Sequence, residues 1–159
     1  MPRYAADIAE HAWTNGDHEQ ARSLLSSDPS VEARLRTYLA LLDAGLSADE
    51  VPTDELADQI SALDDPLEAS SAYNVLLLVL AATKKPYEDV LVQALRTTKN
   101  ISTESDRWWQ HHALVSFAIE NQCDQALLAF VDSDDCPEEL VAPIVTSLAE
   151  EYANTDQGE

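Results

Sequence analysis

Glycine, cysteine and positive charge are all scarce in this chain. Three glycines in 159 residues leave little room for a phosphate-cradling loop of the GxGxxG or GxxxxGK[ST] type, which needs closely spaced positions without a Cβ. The two cysteines, Cys123 and Cys136, form no CxxC pair, so neither a disulfide framework nor a familiar zinc spacing is implied. HExxH and GxSxG do not occur. Only nine residues are basic, three of them lysines, and the closest approach to a basic cluster is Arg34 with Arg36 or Lys84 with Lys85. Direct nucleic-acid binding is therefore not expected, because phosphate contacts need clustered Lys and Arg. The longest apolar run, residues 75–82, falls far short of the ~20 residues that span a bilayer and is expected to be a buried helix. The start, MPRYAADIAEHAW, alternates charged with apolar residues and does not read as a signal peptide. The expectation is a cytoplasmic protein without membrane association.

What the chain does have is acid. Thirty acidic residues against nine basic give a net charge of −21, yet 45% of residues are hydrophobic and 25% charged, a balance that folds. The acidic residues are spread from Asp7 to Asp156, so self-repulsion should oppose compaction at low salt. At about 1 M salt the Debye length is roughly 3 Å and most of that repulsion is screened. The Asp-rich, Lys-poor pattern resembles proteins of salt-accumulating halophiles, especially haloarchaea. The competing reading is a DNA-mimic inhibitor of a nucleic-acid-binding protein, which requires carboxylates ranked on one face. Here they are diffuse.

A chain of this length is one domain at the usual scale of ~100–200 residues. Pro52, Pro66 and Pro86 are each followed within three positions by a glutamate, as are Pro29 and Pro137. Proline suits the first helical turn, and an acidic side chain there faces the positive end of the helix dipole. Asp28 and Asp65 are natural N-caps, and Pro2 can open the first helix. Periodicity and breakers then give helices over 3–14, 17–26, 30–44, 53–63, 66–83, 86–98, 104–121, 123–131 and 137–153. Gly16 and Gly45 fall just past helix ends, where a left-handed residue is wanted. Pro143, inside the last helix, removes one backbone hydrogen bond and is expected to kink it. No β-branched alternating segment competes. The prediction is one all-α domain over 1–153, about nine helices, with a disordered tail over 154–159.

Nine helices joined by short loops pair into antiparallel hairpins beginning near residues 3, 30, 66 and 104, with the last helix as a cap. A period of ~35 residues is that of helical-hairpin arrays. The stretch IAEHAWTNGDHEQARSLL, residues 8–25, resembles a tetratricopeptide (TPR) turn, with Gly16 at the junction, Ala21 as the small packing residue and Leu24 behind it. A second, degraded copy is SFAIENQCDQALLAF, 116–130, where Ala126 takes the place of Ala21 and the glycine is absent. The resemblance implies stacked antiparallel hairpins, an α-solenoid, which serves as an interaction surface.

RWWQHH, residues 107–112, holds two of the three tryptophans and two of the four histidines. At 100° per residue, Trp108, His112, Val115 and Ile119 form one stripe and Trp109, Ala113 and Phe117 another. A helix apolar nearly all round is usually enclosed, which makes the tryptophans core fillers and His112 a core histidine. The functional alternative is that Trp109, His111 or both line a groove for a partner's aromatic or peptide side chain, Trp being favoured at binding hot spots. Trp13 and His18, flanking the first hairpin turn, are the second pair of candidate partner-binding residues. A metal site from His111, His112, Cys123 and Cys136 is disfavoured, since adjacent histidines diverge by about 100° on a helix. The run at 132–135 lacks the ligand alternation and glycine of an EF-hand. Carboxylates suited to acid/base work are everywhere and single out no catalytic site. Tyr4 and Ile8 on the first helix, and Leu35, Tyr38, Leu39 and Leu42 on the third, are expected to face inward. Together these features predict a non-catalytic protein-protein interaction module, an adaptor or scaffold, without cofactor or metal and compatible with a homo-oligomer. A small-molecule-binding or enzymatic helical domain is the remaining alternative, marked by a deep pocket gathering His, Trp and acidic side chains.

Overall fold

The computed structural model describes residues 2–27, 30–134, 136 and 138–157. Among them all regular structure is helical: α1 (Pro2–Thr14), α2 (His18–Ser27), α3 (Val31–Ala44), α4 (Thr53–Ser61), α5 (Pro66–Thr83), α6 (Glu88–Thr98), α7 (Glu104–Glu120), α8 (Asp124–Val131) and α9 (Glu138–Gln157), with a short 3-10 turn at Ala48–Glu50. The helix count and the all-α class agree with the sequence reading. The chain divides into two compact units, 1–87 and 88–159. That boundary falls inside what was expected to be the third hairpin.

The predicted helix ends have physical causes. Asp65 caps α5 by accepting from the Leu67 amide at 3.0 Å, with Pro66 as the first helical residue. Ser30 caps α3 through the Ala33 amide at 3.1 Å. Gly16 and Gly45 have φ of +88° and +118°, the left-handed backbone expected just past a helix end. Pro52 sits at the N-cap of α4, and Pro86 lies two residues before α6 begins. Asp28, Pro29 and Pro137 lie outside the described residues. The last helix continues unbroken through Pro143 to Gln157.

In the first unit α1 packs on α3 and α3 on α5, while α2 lies against α1 and α4 against α5. Ala9, Ala21, Leu35, Leu41, Leu76 and Leu77 are fully buried there. Small residues at Ala9 and Ala21 let α1 and α2 approach closely. α5 is apolar all round and, among the described residues, is the one helix long and apolar enough, by length and composition, to cross a bilayer, with half of it buried among its neighbours. Lys85 holds its end, donating from Nζ to the Val51 carbonyl (3.3 Å) and Thr53 Oγ1 (3.2 Å). Two inward assignments are corrected. Ile8 is 50% exposed, because Ala9 and Ala12 face the seam instead, and Tyr38, Leu39 and Leu42 are only half-buried beside a fully buried Leu35. The Tyr4 side chain is outside the described set.

In the second unit α6, α7 and α8 pack on one another, and α9 lies against α7 and α8. Leu91, Leu95, Leu114, Leu127 and Ile144 supply its core. At the α7–α8 turn, where a glycine was missing from the second TPR-like stretch, Gln122 takes the left-handed conformation at φ 59°.

Candidate functional site

α7 buries His111, Leu114, Phe117 and Ala118, a face set by 3.6-residue spacing. Trp108, Trp109 and His112 fall off that face, and Trp108 and Trp109 are 51% and 63% exposed. This overturns the enclosed-helix expectation. The core histidine is His111, 3% exposed, and not His112, which is exposed. α7 packs on α6, α8 and α9 and leaves its tryptophan side exposed.

The exposed rings are ordered among themselves. The two tryptophans meet edge to face, centroids 4.9 Å apart at 84°, and Trp108 lies parallel to His112 at 5.2 Å and 3°, one turn along the helix. Edge-to-face and offset-parallel contacts are the arrangements aromatic quadrupoles favour. The rings therefore form a preset corner. Facing it across the groove are Leu140 and Pro143 of α9, and the hollow between has a volume of about 470 Å³. Glu104, Ser105 and Arg107 stand at its rim. A smaller hollow of about 90 Å³ continues it past His112 and Val115 to Ile144 and Ser147. Leu140, Ile144 and Leu148, spaced four apart, anchor α9 in the core, which turns Pro143 toward the groove. Its ring leaves the carbonyl of residue 139 without an intrahelical donor.

His111 lines both hollows. Its Nε2 hydrogen-bonds to Thr98 Oγ1 on α6, and that hydroxyl gives its single proton to the Leu95 carbonyl at 2.6 Å. Thr98 must then accept, so the neutral ring carries its proton on Nε2 and offers Nδ1 as an acceptor. Burial, and secondarily the Arg107 charge, push the His111 pKa down to about 4. The imidazole is uncharged near neutrality. Arg107 itself is tied down, with Nη1 donating to the Ile101 carbonyl at 3.1 Å.

Trp13 and His18 are brought together in the first unit, stacked at 3.7 Å and 8° across the α1–α2 turn. The Arg22 guanidinium sits 5.2 Å from the Trp13 ring and pairs with Glu50 at 2.8 Å. Trp13 is only 9% exposed, so this stack closes a turn and leaves little ring for a partner. Among the described residues no group of three His, Cys, Asp or Glu could share a metal ion. Leu140, Pro143 and Ile144 were missed as site residues because they come from a different helix. Their only signal was the proline inside an apolar four-residue stripe.

Comparison with protein-family models, with curated proteins and with solved structures finds no match.

Proposed function

We propose that this chain is a non-catalytic protein-interaction module whose α7–α9 groove receives an apolar or aromatic side chain of a protein partner. One observation carries the reading: two adjacent tryptophans, both more than half exposed, form the wall of a groove floored by Leu140 and Pro143. Leaving two large rings half in water forgoes about half of the ~1.5–3 kcal/mol that full burial of a large apolar side chain gives each, a cost that a partner covering them recovers. Tryptophan is also the residue most enriched among interface hot spots. The groove is poorly equipped for catalysis. A histidine with a pKa of about 4 is mismatched to proton transfer near neutrality, and its Nε2 is occupied by Thr98. TPR-like stacking of hairpins is part of the proposal, supported by the layering of α1 on α3 and α3 on α5. So is a salt-rich cytoplasm, supported by the charge of −21.

The test is a paired capture from the source organism at high salt, with wild type and Trp109→Ala as baits and mass spectrometric readout. A protein retained by wild type and lost from the variant supports the reading. A bait that arrives alone with a bound metabolite ends it.

A further inference from the structure

The first unit has a second and larger hollow, about 920 Å³, over α3. Its floor is apolar and low: Ala6 of α1, Leu39 and Ala40 of α3, and Ala82 of α5, with Leu46 and Ala48 at one end. Three charged residues line it, Asp7, Arg36 and Asp43. Arg36 is already paired, its Nη2 lying 2.9 Å from Glu32 Oε1. Asp7 and Asp43 make no ion pair or side-chain hydrogen bond among the described residues, and both are exposed. The cleft therefore presents an apolar floor flanked by two exposed carboxylates that no described residue pairs, in a chain of net charge −21.

We infer that this cleft docks a cationic amphipathic helix of a partner protein, apolar face inward and Lys or Arg beside Asp7 and Asp43. Charge complementarity selects the sign, since an anionic segment would bring its own charge to contact range of the Asp7 and Asp43 carboxylates. The backbone selects the helix. With no strand among the described residues, an extended peptide would find no sheet edge to pair its amides, whereas a helix satisfies its own. Alanines on the floor let a helix approach closely and seat larger side chains beside Leu39 and Leu46. The inference is independent of the α7–α9 reading.

The experiment titrates the full chain with a labelled Leu/Lys amphipathic helical peptide and with its Leu/Glu counterpart, by fluorescence anisotropy. Salt is set to the lowest concentration at which circular dichroism shows the chain folded. The Leu/Lys peptide should bind, weaken as salt is raised, and lose about fivefold or more in affinity on Ala82→Lys or on combined Asp7→Asn and Asp43→Asn. Ala82, Asp7 and Asp43 are all exposed, so these variants should fold, and Trp109→Ala should bind like wild type. Equal binding of the Leu/Glu peptide, no binding of the Leu/Lys peptide, or unchanged affinity in both cleft variants overturns the inference. So does loss of binding in Trp109→Ala alone, which would move the peptide to the α7–α9 groove and leave that reading standing.

Discussion

Thr98 and His111, 13 residues apart and on different helices, share a buried hydrogen bond in which the hydroxyl has already given its proton away to Leu95. The histidine is thereby fixed in one tautomer beneath the tryptophan pair. Its folded pKa of about 4 lies below the ordinary 6.5. Above pH 6.5 both folded and unfolded chains hold it neutral, and it contributes no pH dependence. As pH falls from 6.5 toward 4 the unfolded chain takes up a proton that the folded one refuses, costing on the order of 3 kcal/mol in all. Denaturant melts across that window should show this slope in wild type and not in His111→Gln. Identical slopes would refute the assignment.

Gln122 and Gly45 make opposite predictions about the same backbone region. Gln122 is left-handed with a side chain, so Gln122→Gly should stabilise the chain by about 0.5–1 kcal/mol. Gly45, at φ +118°, would place a Cβ 3.7 Å from Trp13 Nε1; there is space, but the conformation is strained for alanine. Gly45→Ala should destabilise by about 1–2 kcal/mol. Equilibrium denaturation of the two variants checks both signs.

Salt should stabilise the fold. With 30 acidic and nine basic residues, screening the repulsion between roughly 0.1 and 1 M salt shortens the Debye length from about 10 to 3 Å. The melting temperature should climb steadily over that range in KCl, and most steeply at its low end. A flat or falling profile would contradict the expectation of a protein suited to high salt.

The three tryptophans should differ in access. In single-tryptophan variants, acrylamide should quench Trp108 and Trp109 efficiently and Trp13 weakly, following exposures of 51%, 63% and 9%. A neutral quencher is needed because the chain's charge repels anions.

Helix ends were legible because their causes are local: Asp65 before Pro66, the positions of Gly16 and Gly45, glutamates trailing prolines. The face of α7 was not. Trp108 and Trp109 point about 100° apart and apolar residues recur on several sides of the helix, so periodicity alone could not decide which face neighbours cover. Burial of His111 follows from where α6 brings Thr98, a contact between residues 13 apart. The groove's far wall was hidden for the same reason, since Leu140 and Pro143 acquire meaning only once α9 lies against α7. Leu39 and Leu42 read as interior by spacing, yet they border an open cleft. Spacing identifies an apolar stripe and says nothing of whether the chain supplies its cover.

The most direct measurement of the central claim is calorimetric titration of the captured partner into wild type, Trp109→Ala and Leu78→Ala. Leu78 is also exposed, at 47%, but belongs to the other unit. The account predicts that Trp109→Ala weakens binding by about 30-fold, the 2 kcal/mol that marks a hot spot, while Leu78→Ala binds like wild type. Equal affinity for all three proteins would contradict it.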